Sequence, residues 1–381
     1  MVYDLIVKNG IVVDPLRKIH KKQDIYAKNE MFVLPKIDGK GEMRAKKIID
    51  ATGCYVFPGL IEGHTHLYEG GSEAGYSPDL MLLPNGVTSA IDQGTAGSAN
   101  FTSFYNQTIL QSKVDIKAFL NISSTGITTE KYIENIDPSF YDRDTIRYLF
   151  RKHKDTLIGL KIRMEEASCG EMGITPLAKT IELAEELDCP VAVHVKNPNV
   201  PIPEIASLLR KKDTWIHIYQ QTGQTIFNQH NFIYPELFEA QKRGVLFDVA
   251  SGRSAFSFKM IRESMEQGFK PDLLGTDLVQ FNYYEKPIFS LLYTISLYKS
   301  FGFTIDELIE KCTVLPAKLM KLDDKIGSLA PGFQADISIV KMKQTDILFE
   351  DRHGGKQIGQ ELLIPMATIK AGRLLYQNIE F

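Results

Sequence analysis

The sequence predicts an α/β protein: a (β/α)8 barrel accompanied by a small β-sandwich to which both ends of the chain contribute. Three observations lead to this prediction. Short apolar strands alternate with amphipathic helical stretches through the middle of the chain, a pattern typical of a parallel sheet with crossover helices. Both ends contain short strands and lack helical periodicity. With 381 residues, the chain is long enough for a barrel and an accessory domain.

The first 53 residues are predicted to form short strands. Leu5–Val7 and Ile11–Val13 are apolar, and Asn9 and Gly10 lie between them. Asn-Gly is a strong signal for a tight β-hairpin turn, because both residues tolerate positive φ angles. We therefore expect an antiparallel hairpin at the start of the chain.

Residues 331–381 have the same strand-rich character as the amino-terminal segment, with glycines between short apolar runs. Two β-rich ends around a different middle indicate a single sandwich that both ends build. The predicted domains are therefore a discontinuous β-sandwich, residues 1–53 plus 331–381, and a (β/α)8 barrel, residues 54–330.

Eight apolar segments of the middle region are predicted to be the barrel strands. They are residues 55–66, 87–93, 116–123, 157–164, 191–195, 215–219, 245–250 and 273–278. Amphipathic stretches with apolar residues at helical spacing separate many of these strands. The stretches that we predict as helices are residues 175–187, 235–242, 257–267 and 285–300. Eight strand–helix repeats indicate a closed barrel.

Composition and charge exclude several classes of protein. The formal net charge is −3 and the sequence pI is about 6.3, which argues against a nucleic-acid-binding surface or a polybasic membrane anchor. The four cysteines are scattered, as is typical of reduced thiols in a cytoplasmic protein. The first residues lack the pattern of a signal peptide, and no apolar run is long enough to span a membrane. We expect a cytoplasmic protein that binds neither nucleic acid nor membrane.

Polar residues lie at the ends of several predicted barrel strands. Alternate residues of a strand point to one face, so the two histidines of His64-Thr65-His66 face the same way. Strands four, five, six and eight add a lysine, two histidines and an aspartate, and the full set is His64, His66, Lys161, His194, His217 and Asp277. Imidazole and carboxylate groups are common metal ligands. Barrel active sites lie at the carboxyl ends of the strands, where this set is predicted to lie.

Each of these residues alone also has an explanation without a metal. Lys161 could extend its charged end to solvent. His194 and His217 could be hydrogen-bonded core residues, and Asp277 could cap the next helix. The occurrence of all six at the ends of the predicted strands is improbable by chance, and it favours a metal site.

The order of these six residues resembles the metal-ligand motif of the amidohydrolase superfamily, which has His-x-His on strand one, a modified lysine on strand four, histidines on strands five and six, and aspartate on strand eight. The resemblance extends over nearly the whole chain. Residues 70–79 and 86–100 are also similar to the branch called amidohydrolase/deacetylase metallohydrolases. The resemblance implies a barrel hydrolase of the binuclear-metal type, related to dihydroorotase.

The resemblance also implies two divalent metal ions, with zinc favoured and manganese, cobalt and iron left open. Lys161 would be carboxylated by carbon dioxide, because an ammonium group repels a cation whereas a carbamate can bridge two metals. One metal would be bound by the strand-one histidines and Asp277, and the other by His194 and His217. Asp277 would also be the catalytic residue that accepts and transfers a proton.

Five further residues are predicted to contact the substrate, because they lie at or beyond the ends of the strands. They are Tyr68, Gln93, Arg163, Ser251 and Arg253. Two arginines near a metal pair indicate an anionic group on the substrate, such as a carboxylate, which suits the planar guanidinium. The alternative is that either arginine forms a salt bridge at the surface or at the barrel end.

The features and the resemblance together predict a deacetylase-type hydrolase that removes an acyl group from an amide or ester of a small anionic substrate. The run His194-Val195-Lys196 lacks the glutamate that follows strand five in mononuclear deaminases of the superfamily, which disfavours deamination. The alternatives are a cyclic-amide hydrolase similar to dihydroorotase or hydantoinase, a deaminase, and a non-catalytic scaffold. The substrate, the native metal and the formation of a homo-oligomer stay open.

Overall fold

The computed structural model describes residues 2–35 and 43–381. The amino-terminal strands are β1 (Val2–Lys8), β2 (Ile11–Asp14), β3 (Ile19–Lys22), β4 (Ile25–Lys28), β5 (Met31–Phe32), β6 (Arg44–Asp50) and β7 (Tyr55–Pro58). The strands of the middle region are β8 (Leu60–Thr65), β9 (Val87–Gly97), β10 (Asp115–Asn121), β11 (Leu157–Met164), β12 (Val191–Val195), β13 (Thr214–Ile216) and β14 (Leu246–Asp248). The carboxyl-terminal strands are β15 (Ile337–Glu350), β16 (Lys356–Lys370) and β17 (Arg373–Gln377).

The α-helices follow the barrel strands for the most part. They are α1 (Pro78–Met81), α2 (Phe101–Phe104), α3 (Arg143–Lys152), α4 (Glu166–Cys169), α5 (Thr175–Glu186), α6 (Ile202–Leu208), α7 (Pro235–Arg243), α8 (Phe258–Glu266), α9 (Leu291–Ser300), α10 (Ile305–Lys311) and α11 (Val314–Leu319). The predicted helices at 175–187, 235–242 and 257–267 are confirmed. The one predicted at 285–300 begins only at Leu291, because Pro287 precedes it and the Ser290 hydroxyl caps it by accepting a hydrogen bond from the Tyr293 N–H. No helix within the described ranges is both long enough and apolar enough to cross a bilayer.

The two ends of the chain form a β-sandwich, as the sequence predicted. One sheet has the strand order β5-β4-β1-β6, and the other has the order β17-β16-β15-β7-β2-β3. Apolar side chains of both sheets, such as Leu5, Val12 and Ile337, belong to one buried cluster between them. The predicted boundaries at residues 53/54 and 330/331 remain a prediction.

The predicted hairpin at Asn9 and Gly10 is wrong. β1 pairs with β4 and β6, whereas β2 pairs with β3 and β7, so the two strands lie in different sheets. Asn9 does adopt a positive φ of 66°, but this turn carries the chain from one sheet to the other. A Cβ atom on Gly10 would lie 2.3 Å from Val56 Cγ2 on β7, so close packing against the neighbouring strand of the same sheet also explains the glycine.

The middle of the chain forms the predicted barrel. Seven parallel strands follow one another in the order β14-β13-β12-β11-β10-β9-β8. The eighth segment, residues 273–278, is not a regular strand. It makes one parallel bridge from Leu273 to Asp248 and another from Leu278 to Thr65, and these bridges close the barrel. Asp277 has a φ of +56°, which interrupts the extended backbone of this segment.

The predicted first strand, residues 55–66, is in fact two strands. β7 pairs with β2 and β15 in the sandwich, and β8 pairs with β9 in the barrel. Gly59 lies between β7 and β8, where a Cβ atom would be 2.2 Å from Thr88 Oγ1. The chain therefore passes directly from the sandwich into the strand that ends at the predicted ligands.

A buried lysine links the sandwich to the barrel. Lys370 Nζ at the end of β16 lies 2.7 Å from Asp336 Oδ2 and 2.5 Å from Asp115 Oδ2, and Asp115 begins β10. Asp336 is also buried. Removal of the lysine would leave a buried carboxylate without its cation, which is costly.

We predict that Lys370→Met lowers the free energy of unfolding by about 3 kcal/mol, because the buried carboxylate of Asp336 loses its partner. Urea unfolding followed by circular dichroism would measure this change. Lys343→Met on the exposed face of β15 is the matched control, with an expected change within about 0.5 kcal/mol. Equal stabilities for the two variants would contradict the assigned role.

Candidate metal centre

The two histidines that end the first barrel strand are oriented by hydrogen bonds on Nδ1. His64 Nδ1 lies 3.1 Å from Asp248 Oδ2, and His66 Nδ1 lies 2.8 Å from Thr95 Oγ1. A neutral imidazole that donates through Nδ1 keeps a lone pair on Nε2. The Nε2 atoms lie 3.5 Å (His64) and 3.3 Å (His66) from Asp277 Oδ1. Both rings are therefore held in the way that metal-binding histidines usually are.

Asp277 reaches these histidines from the segment that closes the barrel. Its backbone N–H donates to the His64 carbonyl at 2.8 Å. Burial raises the pKa of the Asp277 carboxyl group, but the hydrogen bond with His66 and the electrostatic interactions with the nearby imidazoles outweigh burial and hold the pKa below its usual range. One potential ligand atom from each of His64, His66 and Asp277 lies within 4.8 Å of the others. This group has the chemistry and spacing to hold a divalent cation.

His194 and His217 form a second pair of facing nitrogen atoms. His217 Nδ1–H donates to the Ala250 carbonyl at 2.7 Å, and His217 Nε2 lies 3.0 Å from His194 Nδ1. Two nitrogens on one tetrahedral zinc ion are ~3.3 Å apart for bonds of ~2.05 Å, which is close to this spacing. Burial lowers the pKa of both imidazoles well below the usual value, so both are neutral, as metal ligands must be.

Lys161 on β11 lines the same cavity as the four histidines. Burial and then the positive charge of Arg163 lower the pKa of its amino group to about 8. Among the residues that the structure describes, none forms a hydrogen bond or a salt bridge with Lys161 Nζ. Gly94 has a φ of +79°, and a Cβ atom there would lie 2.6 Å from Lys161 Cβ. A residue larger than glycine at position 94 would therefore collide with the aliphatic part of the Lys161 side chain.

Arg163 is held by two carboxylates. Its Nε donates to Glu134 Oε1, and its Nη1 lies 3.2 Å from Glu165 Oε2 and 3.2 Å from His194 Nε2. Burial raises the pKa of Glu134, but the Arg163 charge outweighs burial and lowers this pKa below its ordinary value. The charge of Arg163 is thus balanced within the protein. These contacts favour the salt-bridge alternative, and an Arg163 contact with substrate stays a prediction.

The cavity at the carboxyl ends of the barrel strands contains all six predicted ligands and both predicted arginines. Other residues that line it include Ala74, Ile127, Glu130, Lys196, Val279 and Phe281. Arg253 is exposed, and its guanidinium carbon lies 5.8 Å from the centre of the Phe281 ring. Within the described part of the chain, neither Arg253 nor Lys196 forms a salt bridge with a carboxylate.

The structure does not bring Tyr68, Gln93 or Ser251 to this cavity. Tyr68 is buried against Phe104, with ring centres 5.0 Å apart. Gln93 Nε2 donates to a strand-one carbonyl, that of Gly63, at 3.1 Å. The Ser251 side chain is buried, and its hydroxyl oxygen lies 3.2 Å from the hydroxyl oxygen of Tyr298. All three side chains are used in packing or in internal hydrogen bonds, so we do not include them in the proposed substrate site.

The residues that orient the candidate ligands are not among those predicted from the sequence. Asp248 follows the apolar run of strand seven, and Asp92 interrupts the apolar run of strand two. The criterion that identified Asp277, a carboxylate in an apolar strand, could have found both. Glu134 and Glu165 lie outside the barrel strands, where no periodic pattern indicates their direction.

Residues 55–359 match the profile of the Amidohydrolase family, and the chain belongs to this family. A deacetylase of Enterococcus faecalis is 30% identical to it, over 99% of this chain and 100% of its own length. A solved structure described as an adenine deaminase has a TM-score of 0.89 and 29% identity, and covers 99% of this chain and 100% of its own. A dihydroorotase structure has a TM-score of 0.84 at 24% identity, with 98% of each chain covered, and shares the fold.

Family membership confirms two predictions, the amidohydrolase superfamily and a hydrolytic enzyme. The similarity to the deacetylase supports the predicted deacetylase type.

We predict that Thr95→Val weakens zinc binding about 10–100-fold, because His66 loses the partner that fixes its ring. The Thr95 hydroxyl donates to Asp92 Oδ2 at 2.7 Å, so its oxygen is free to accept from His66 Nδ1. Calorimetric titration of metal-free protein with zinc would measure the affinity. Thr95→Ser keeps the hydroxyl and is expected to bind zinc nearly as the unmodified protein does. Normal zinc affinity of Thr95→Val, or a loss in Thr95→Ser as large as in Thr95→Val, would contradict the role of the hydrogen bond to His66.

Proposed function

We propose that this protein is a metal-dependent hydrolase of the deacetylase type, which removes an acyl group from an amide or ester of a small anionic substrate. One observation carries the proposal: His64, His66 and Asp277, the His194–His217 pair and Lys161 all line one cavity at the carboxyl end of the barrel. The similarity to a deacetylase over the full length of both chains supports the type of reaction.

The donor set fits two divalent ions. His64, His66 and Asp277 would hold one, and His194 with His217 the other, with zinc favoured by the nitrogen-rich ligands. When bound, the ions would act as a Lewis acid and make water a nucleophile near neutral pH. Carboxylation of Lys161 would consume the neutral amine and one carbon dioxide, and release one proton. A pKa of about 8 gives Lys161 more neutral amine at neutral pH than an exposed lysine has.

Asp277 is the residue that would move the proton. Its carboxylate is ionised, because its pKa lies below the usual range. Oδ1 faces the two strand-one histidines, whereas Oδ2 faces Gly252, where a Cβ atom would lie only 2.6 Å away. The carboxylate would accept a proton from the attacking water and deliver it to the leaving nitrogen or oxygen.

Arg253 and Lys196 would bind the anionic group of the substrate. Both line the cavity, and Arg253 keeps its guanidinium free of carboxylates within the described residues while it lies over Phe281. Arg163, by contrast, is already paired with Glu134 and Glu165. A substrate carboxylate therefore gains more from Arg253, which has no carboxylate partner to lose among the described residues.

A panel of substrates tests the proposal. Protein loaded with zinc in bicarbonate would be incubated with N-acetyl amino acids, O-acetyl hydroxy acids, dihydroorotate, hydantoin and adenine. Release of acetate is the expected result. Ring opening alone would support a cyclic-amide hydrolase. Release of ammonia from adenine alone would replace the proposal with deamination, the second candidate that the adenine deaminase structure favours.

We predict that Asp277→Asn lowers kcat at least about a hundredfold, the usual scale for the loss of a general base. The amide keeps the shape and one oxygen ligand but accepts no proton. Metal content, measured by elemental analysis, is expected to stay above that of a His64→Ala, His66→Ala double variant. A near-normal kcat with metal bound would show that another group accepts the proton.

A second kinetic prediction concerns the anion site. Arg253→Met is expected to raise KM for anionic substrates about 10–100-fold, which corresponds to roughly 1.5–3 kcal/mol for a hydrogen bond to a charged group. The neutral methyl esters of the same substrates are the control, and their KM is expected to change little. An equal rise for acids and esters would indicate that Arg253 shapes the loop and does not bind the charge.

A further inference from the structure

A continuous chain of hydrogen bonds runs from Arg163 through the second histidine pair to a backbone carbonyl. Arg163 Nη1 lies 3.2 Å from His194 Nε2, His194 Nδ1 lies 3.0 Å from His217 Nε2, and His217 Nδ1 lies 2.7 Å from the Ala250 oxygen. A guanidinium only donates hydrogen bonds, and a carbonyl only accepts them. The direction of the chain is therefore fixed, and each neutral imidazole carries its proton on Nδ1 and accepts on Nε2.

This arrangement suits one histidine as a metal ligand but not the other. His217 has its lone pair on Nε2, which faces the space between the pair. His194 presents Nδ1 to the same space, and in this tautomer Nδ1 carries the proton. A neutral His194 can bind an ion through Nδ1 only if its proton moves to Nε2. Nε2–H would then face Arg163 Nη1, which is also a donor.

Glu165 offers the acceptor that this second tautomer needs. Glu165 Oε2 lies 3.9 Å from His194 Nε2, and it now accepts a hydrogen bond from Arg163 Nη1 at 3.2 Å. Arg163 remains bound to Glu134 through Nε when Nη1 is released. A small shift of Glu165 would thus exchange Arg163 for His194 as its hydrogen-bond donor.

We propose that Glu165 is a positioning residue for the second metal ion: it accepts the Nε2–H of His194 when Nδ1 binds the ion, and it displaces Arg163 from that nitrogen. The inference rests on the proposed two-metal centre. No net proton is gained or lost at His194, because its proton only changes nitrogen. A carboxylate behind a metal-bound histidine fixes the tautomer and makes the ring a better ligand.

Zinc titration of metal-free variants by calorimetry, with bound zinc counted by elemental analysis, tests this inference. Glu165→Ala is expected to weaken the second zinc about 10–100-fold and leave the first unchanged. Glu165→Gln removes the charge but keeps a carbonyl acceptor, so it is expected to retain more second-site affinity than the alanine variant. Glu130→Ala is the matched control, because Glu130 lines the same cavity and, in the described part of the chain, forms no hydrogen bond or salt bridge with His194.

The outcomes separate this inference from the proposed function. A protein of native sequence that binds only one zinc ion would contradict the proposed two-metal centre. Two zinc ions in the unmodified protein, with Glu165→Ala no different from Glu130→Ala, would overturn the role of Glu165. Equal second-site zinc affinities of Glu165→Gln and Glu165→Ala would mean that only the charge of Glu165 matters. This result would also overturn the proposed role of Glu165 as a hydrogen-bond acceptor. A crystal structure of the zinc-loaded protein is expected to show Glu165 Oε2 within ~3 Å of His194 Nε2.

Discussion

The candidate metal centre depends on the hydrogen bonds that join the first barrel strand to the closing segment. Glu62 Oε1 accepts from the Thr276 N–H at 2.9 Å and from the His64 N–H at 3.1 Å, and Glu62 Oε2 accepts from the Thr276 hydroxyl at 2.8 Å. Burial raises the pKa of Glu62 to about 8, even though these hydrogen bonds favour its ionised form. One buried carboxyl group thus sets the positions of His64 and, through Thr276, of Asp277. Close packing reinforces this contact, since a Cβ atom on Gly275 would lie 2.3 Å from His64 Cβ.

The two arginines of the cavity show how partners decide the role of a charge. Arg163 is enclosed by Glu134 and Glu165 and touches His194, so its charge acts on the protein's own residues. Arg253 lies over the Phe281 ring in the lining of the cavity, and no carboxylate of the described residues occupies its hydrogen-bond donors. Two residues of the same type in one cavity are therefore expected to contribute to different steps, one to the arrangement of ligands and the other to the binding of substrate.

The sequence predicted the parts of the structure that follow from periodicity. The candidate ligand set, which lines one cavity, could be picked out because barrel strands are apolar, so His194 or Asp277 stands out, and because strand ends meet at one face. The irregular backbone of the closing segment could not be predicted, because nothing in the sequence around Asp277 indicates a positive φ. The hairpin prediction failed because Asn9 and Gly10 signal a turn but not the sheet that receives the next strand. The packing of Tyr68 on Phe104 could not be predicted either, because the distance of Tyr68 from His66 along the chain says nothing about it.

The sandwich has a consequence for the synthesis of the protein. The sheet of β1, β4, β5 and β6 can form as soon as the first strands leave the ribosome, but β7 pairs with β15, which is made much later. Roughly 280 residues separate Pro58 from Ile337, and at ~5–20 residues per second their translation takes about 15–60 s. During that interval one edge of β7 has no partner, and such an edge can pair with other chains. The nascent protein thus carries an unpaired strand edge for as long as its barrel is being made.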